Sequence, residues 1–244
     1  SYLKIMYKKQ NLKVVILCGG KGTRIVEETA KKPKPMIKIG NKPILVHIID
    51  MFKYYGFNDF ILASGYKREV IVKYFKNYKK TTNIKVINTG RETMTGGRIL
   101  RLKRLLKKEK YFLMTYGDGV SDIDLNKLLK FHKNHQKIAT ITAVHPPVRF
   151  GELKIKRGKV SKFEEKPQAK AGWINGGFFV LSNKIFRYIK KDSTIFEREP
   201  LEKLSKENQL MAYKHDKFWQ CMDTLRDKIM LNNLWNKNKA PWKK

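Results

Sequence analysis

Residues 12–24, LKVVILCGGKGTR, decide how the rest of this sequence is read. Val14 to Cys18 form an unbroken apolar run that ends abruptly in glycines. A short continuous run, as opposed to an alternating one, marks a strand covered on both faces, as in a parallel sheet. The glycines that follow let backbone N–H groups approach an anion closely, so the turn suits phosphate oxygens. Neither familiar glycine pattern fits. A dinucleotide fingerprint needs a third glycine where Ile25 stands, and a P-loop needs Ser or Thr where Gly22 follows Lys21. What remains is a strand-to-helix turn of another kind, with Arg24 and Lys34 near enough in sequence to neutralise phosphate charge.

Working outward, KPILVHIIDMFKYYGF (42–57) places apolar residues at helical spacing between an early proline and a late glycine. DFILASGY (59–66) reads as a strand, EVIVKYFKNY (69–78) as a helix and IKVINTG (84–90) as a strand. A helix through GGRILRLKRLLKKEK leads into the strand YFLMTYGD (111–118), then the helix DLNKLLKFHKNHQ (124–136) and the strand IATITAVHPP (138–147). Alternating strands and helices predict an α/β fold: an open, mixed but mostly parallel sheet flanked by helices. The second half adds a small antiparallel elaboration, a hairpin turning at Arg157-Gly158. INGGFFVLS (174–182) reads as a strand, FEREPLEKLSKENQ as a helix, LMAYKHDKFWQCMDT (210–224) as one closing strand and TLRDKIMLNNLWNK as a final helix. No linker or repeat interrupts the pattern, so residues 13–244 are expected to form a single domain, with 1–12 as an N-terminal extension.

Composition narrows the function. The 54 Lys and Arg against 21 Asp and Glu give a net charge of +33. The lysines are spread along the chain, whereas a nucleic-acid footprint clusters, so the charge predicts attraction of small phosphorylated substrates and not a nucleic-acid surface. No apolar run is long enough to span a bilayer, and the first residues carry no signal-type apolar region. Two cysteines, Cys18 and Cys221, make no disulfide framework, so a cytoplasmic setting is expected; a redox pairing of the two is set aside.

Asp118 stands between two glycines at the carboxyl end of a strand, where open α/β sheets place their ligands. It reads as a Mg²⁺ ligand or as a turn residue. Asp122 and Asp124 read as turn or cap acids; Lys166 and Asp223, charged groups near strand ends, could bind a phosphate and a metal respectively, though charged residues at strand ends are common. His132 and His135, on a lysine-rich helix, read as solvated, and His47 as a satisfied core residue. No Ser-His-Asp constellation or Cys-x-x-Cys site is present.

Taken together, LCGGKGTR, EETAKKPKPM, IGNKPI, TGRETMTGGR, TYGDGVSD, RFGELKI, FEEKP, INGGFFVL, EREPL, FWQCMDTLRDK and KAPW occur in order from Lys13 to Trp242. This series resembles the sugar-1-phosphate nucleotidyltransferases, enzymes of GT-A-like (Rossmann-like) fold, and within them the glucose-1-phosphate cytidylyltransferase branch. The resemblance implies a Mg²⁺-dependent enzyme, with Mn²⁺ as a substitute, joining CTP and α-D-glucose 1-phosphate into CDP-glucose and pyrophosphate for surface polysaccharide or deoxysugar synthesis. It also implies a homo-oligomer. Alternatives are another phosphorylated acceptor, such as a different sugar 1-phosphate or phosphoglutamine, or a non-catalytic nucleotide-sugar-binding regulator.

By the same resemblance, Leu17, Cys18, Gly19, Gly20, Lys21, Gly22, Thr23 and Arg24 hold the nucleotide, joined by Thr93, Arg98, Gly117 and Asp118. Arg24, Lys34 and Lys166 are the implied catalytic cations, and Asp118 and Asp223 the implied metal ligands. Glu165, Lys166, Asn175 and Gly176 line the implied sugar-phosphate pocket. The chain departs from the family at KKTTNIKVIN, which replaces a longer insertion, and at His145 and Cys221, where Phe and Pro are expected.

Overall fold

The structure is a computed structural model that describes residues 10–23, 25–78, 82–147, 152–164 and 172–244. Arg24, Glu165, Lys166 and nearly all of the N-terminal extension lie outside the described residues.

The chain begins with strand β1 (Gln10–Cys18) and a single helical turn α1 (Val26–Thr29). A 3₁₀ turn at Lys34–Met36 leads into a tight hairpin of β2 (Lys38–Ile39) and β3 (Lys42–Pro43). There follow α2 (Ile44–Tyr54), β4 (Phe57–Ser64), α3 (Arg68–Lys76), β5 (Asn83–Asn88), α4 (Thr95–Arg101), α5 (Lys103–Leu106), β6 (Tyr111–Tyr116), β7 (Gly119–Ser121), α6 (Leu125–His135) and β8 (Ala139–Val144). The second half contributes β9 (Glu152–Lys156), β10 (Lys159–Glu164), β11 (Ile174–Ser182), α7 (Glu199–Lys206), β12 (Leu210–His215), β13 (Trp219–Cys221) and α8 (Leu225–Asn236).

Seven strands form one sheet in the order β12-β8-β11-β6-β1-β4-β5. β1 runs parallel to both β4 and β6, β4 parallel to β5, and β12 parallel to β8, while β11 is antiparallel to its two neighbours. β1 therefore lies inside the sheet, and its apolar run is explained residue by residue. Val14, Ile16 and Cys18 enter the core on one face and Val15 and Leu17 the core on the other, all buried. Burying five such side chains contributes on the order of 10 kcal/mol, which is why this stretch dictates the architecture. Among the described residues, no helix is long and apolar enough to cross a membrane.

The hairpin at Arg157-Gly158 forms as read, with φ values of 49° and 76° that a two-residue loop of this twist requires. Asp124 caps α6, its carboxylate accepting from the Lys127 N–H. His47 is a satisfied core residue: Nε2 meets the Ile39 carbonyl at 2.8 Å, and Nδ1 accepts from the Trp242 indole at 3.2 Å.

Three expectations are corrected. The helix expected from Gly96 to Lys110 breaks at Leu102, where 3₁₀-type bonds replace α-helical ones and separate α4 from α5. The closing strand read over 210–224 is two strands. β12 ends at His215, and the chain turns so that β13 pairs with β7 in a separate small sheet. Third, His132 is fully buried and His135 half-buried, both within hydrogen-bond reach of Thr140 Oγ1. His132 falls on the α6 stripe formed with Leu125, Leu128 and Leu129, so spacing outweighs the surrounding lysines. Burial pushes the His132 pKa down to about 3.

Candidate active site

The glycine turn leaves β1 at the carboxyl edge of the sheet and is shaped by close approaches. Gly22 adopts φ +63°, and a Cβ there would meet Thr29 Cγ2 at 2.9 Å and Lys34 Cβ at 3.0 Å. The Gly22 carbonyl accepts from the Ile25 N–H and the Thr29 hydroxyl, which closes the loop onto α1. The opposite side is held by Arg98. Its buried guanidinium donates to the Gly19, Gly90 and Arg91 carbonyls and to Thr89 Oγ1. Burial pulls its pKa below the usual arginine value, and all four of these bonds go to neutral oxygens.

The chemistry sits where three distant segments meet. Lys34 comes from the 3₁₀ turn, Asp118 from the turn between β6 and β7, and Asp223 from the three residues joining β13 to α8. The β7–β13 ladder, extended by the Met222 N–H donating to the Asp118 carbonyl at 2.8 Å, sets the two aspartates side by side. The Lys34 ammonium donates to Asp118 Oδ2 at 2.6 Å and to Asp223 Oδ1. Burial alone would lower the Lys34 pKa, but the two carboxylates outweigh it and hold the group above the ordinary lysine value. Lys34 is therefore a fixed positive charge at neutral pH. The first turn of α8 closes this corner: Asp227 accepts from the Asp223 and Thr224 N–H groups and the Thr224 hydroxyl, a capping box next to Asp223.

These groups line a cleft of about 580 Å³. It contains Leu17, Cys18, Gly19, Gly20, Gly22 and Thr23 from the turn and Thr93 and Arg98 from the α4 region. Lys34, Gly117, Asp118 and Asp223 form its charged end, and Asn175 and Gly176 lie on β11. Lys21 is not among the lining residues; its ammonium pairs with Glu92 at 2.8 Å. Both cysteines touch the cleft, yet burial pushes each thiol up to about 12, so neither is a nucleophile at neutral pH.

At the other end of the cleft, sequence reasoning named Asn175 and Gly176 but missed Glu197 and the hydroxyls that hold it. Glu197, in the loop before α7, takes hydrogen bonds from Thr95 Oγ1 at 2.6 Å and from the Tyr116 hydroxyl, and Asn175 Nδ2 reaches that hydroxyl at 3.4 Å. Burial and Glu197 hold the Tyr116 phenol above its usual pKa, so it remains a donor. The only signal was EREPL among the ordered motifs, with no role attached to its first residue.

The donor set at Asp118 and Asp223 fits a small hard cation. Two carboxylates already flank one positive charge, and oxygen ligands few in number are what Mg²⁺ accepts when phosphates and water complete its shell. Among the described residues no group of three or more His, Cys, Asp or Glu side chains stands ready to hold an ion, so substrate oxygens would complete that shell.

A seven-stranded, mostly parallel sheet with this cleft at its strand ends is the frame of a nucleotide-activating transferase, and the sequence profile of the nucleotidyl transferase family matches residues 13–234. The chain belongs to that family. It is 47% identical to the glucose-1-phosphate cytidylyltransferase of Salmonella typhimurium, covering 95% of this chain and 99% of the relative. It is 42% identical, over the same shares, to the probable glucose-1-phosphate cytidylyltransferase of Bacillus subtilis. Among solved structures, HddC from Yersinia pseudotuberculosis, complexed with GMP-PN, matches with a TM-score of 0.73 at 25% identity, covering 92% of this chain and 99% of that one.

Proposed function

We propose that the protein joins CTP to α-D-glucose 1-phosphate, giving CDP-glucose and pyrophosphate, within a single nucleotidyltransferase domain. The observation that carries this reading is the Lys34 ammonium held between Asp118 and Asp223 at the charged end of a cleft walled by the glycine turn. The length and strength of the likeness to glucose-1-phosphate cytidylyltransferases support the choice of nucleotide and acceptor.

Such a transfer needs positioned charge more than covalent help. The sugar phosphate oxygen is already anionic and needs no general base. It attacks the α-phosphorus of CTP in line; the new P–O bond forms as the bond to the β-phosphate oxygen breaks, and pyrophosphate leaves with that electron pair. Lys34, kept protonated by its two carboxylates, supplies a fixed positive charge where negative charge develops. The turn from Gly19 to Thr23 offers backbone N–H groups to the phosphates, and Arg98 fixes its shape from below. Arg24 and Lys166 are assigned by sequence to the triphosphate and the sugar phosphate. Asp118 and Asp223 are the residues that would hold Mg²⁺, which when bound neutralises phosphate charge.

The test is a pyrophosphate-release screen of the four nucleoside triphosphates against glucose 1-phosphate, other sugar 1-phosphates and phosphoglutamine, with and without Mg²⁺. Turnover is expected with CTP, glucose 1-phosphate and Mg²⁺ together. Release with another acceptor and none with glucose 1-phosphate would replace the assignment.

A further inference from the structure

A second cleft, of about 370 Å³, opens beside the C-terminal end of α8, away from the charged corner at the helix's start. At 1.5 Å per residue, Trp235 lies roughly 15 Å along the helix from its first turn. The lining is unlike that of a solvated lysine surface. Its floor is aromatic and closed: His47 and Trp242 are each 2% exposed, and the Trp235 ring stands edge-on to His47 at 4.5 Å. Both His47 nitrogens are engaged within the protein, and burial pushes its pKa down to about 4, so the floor is neutral at physiological pH.

Around this floor stand Lys42, Lys53, Lys243 and Lys244, with Asp50 the only acid among the lining residues, and Asp50 is paired with Lys42. The Lys42 and Lys243 ammoniums lie over the Trp235 ring at 5.3 and 5.1 Å, and Lys244 lies over Tyr54 at 5.9 Å. A net positive rim rejects cations. The volume is that of a small molecule and is too small for a duplex. Rings beside ammonium groups suit a ligand that carries both a flat face and an anion.

We propose that this cleft is a second binding site, separate from the catalytic one, for a nucleoside monophosphate or a nucleotide of similar size. The base lies against Trp235 and Tyr54 and the phosphate takes Lys53 and Lys243. An occupant touches α8, whose other end carries Asp223, and the β2–β3 hairpin, where the Gly40 N–H donates to Asn232 of α8 at 2.8 Å.

The probe is AMP, titrated at near-physiological salt while tryptophan emission is followed, with inorganic phosphate as a second probe. Saturable quenching below about 1 mM AMP is expected. Lys53→Glu/Lys243→Glu should raise the Kd at least ~10-fold, because both contacts reverse sign. Lys107→Glu/Lys206→Glu removes the same overall charge from exposed positions elsewhere and should change the Kd by less than about twofold, since distant charges are screened. Lys34→Ala, in the catalytic cleft, should leave the AMP signal in place. Loss of that signal in Lys34→Ala, or its survival in Lys53→Glu/Lys243→Glu, overturns the proposal. Binding of inorganic phosphate as tight as that of AMP overturns the nucleotide assignment.

Discussion

The two ends of the catalytic cleft solve opposite problems with the same chemical group, a carboxylate. At one end two aspartates share a lysine; at the other, Glu197 is held by two hydroxyls and makes no ion pair among the described residues. The first arrangement is a charge cluster whose net sign depends on what enters. The second presents a carboxylate to a substrate region where phosphate would be repelled, so it suits the uncharged hydroxyl face of a sugar. Placement follows the sheet: the charged end stands where parallel β1 and β6 finish, and the hydroxyl end where antiparallel β11 crosses beside β6.

The largest way to break this comparison is to remove the aspartates. Asp118→Ala or Asp223→Ala should reduce Mg²⁺-dependent pyrophosphate release by more than about 10³-fold, as expected when a transfer loses the group that neutralises its developing charge. Near-normal turnover in both would sink the metal assignment. Lys34→Ala should follow with a loss in kcat of at least about 10²-fold, the scale of one electrostatic stabiliser. A rise in KM with kcat unchanged would show that Lys34 binds substrate without acting in the transition state.

The charged end was more legible in the sequence than the other, where Asn175 and Gly176 were named and Glu197 was not, and the reason is physical. Asp118 follows an apolar strand between glycines, so its place at a strand end can be read locally. Lys34 was read locally as a charge close to the glycine turn and Asp223 as a charged group near a strand end, but that Lys34 meets both Asp118 and Asp223 is set by contacts 84 and 189 residues apart in sequence. Glu197 depends on how the loop before α7 packs against Thr95 and Tyr116, about 80 to 100 residues away, and no local pattern encodes that. Arg98 was read as a nucleotide contact. It does line the cleft, but its guanidinium is bonded to protein oxygens under the glycine turn, a placement set by two separate loops, the glycine turn and residues 89–91. The strand over 210–224 was read as continuous although Lys214 to Lys217 form an unbroken polar run between its apolar residues. In the fold Asp216 to Phe218, just after β12, are the corner that redirects β13 toward β7.

Glu197→Gln sharpens the comparison. It keeps the shape and one acceptor oxygen but removes the charge and turns the other oxygen into a donor. The KM for glucose 1-phosphate should rise ~10-fold, the cost of one charge-assisted hydrogen bond, while the KM for CTP changes less than about twofold. Selectivity against epimeric sugar 1-phosphates should fall in parallel. An equal rise in both KM values would place Glu197 on the nucleotide side.

The smallest effect comes from polar groups outside both ends, and it tests stability alone. His132 and His47 have pKa values pushed down to about 3 and about 4, so each is neutral in the folded chain where the unfolded chain titrates normally. Their contribution is complete above the unfolded histidine value near 6.5 and is lost as pH falls below it, since the unfolded state then takes up protons that the folded state refuses. Between pH 7 and pH 5 this amounts to at most about 1–2 kcal/mol per histidine, a drop in Tm of a few degrees for a chain of this length. His132→Asn, which can still bond Thr140, should lower the Tm at pH 7 yet show a visibly shallower fall toward pH 5. Carboxylate pairs do not confuse the reading, because Glu28 and Asp122, both lowered from ordinary carboxylate values, lose their contribution only at more acid pH. If the fall is as steep in His132→Asn as in the parent, the buried imidazole is not what makes the core sensitive to acid.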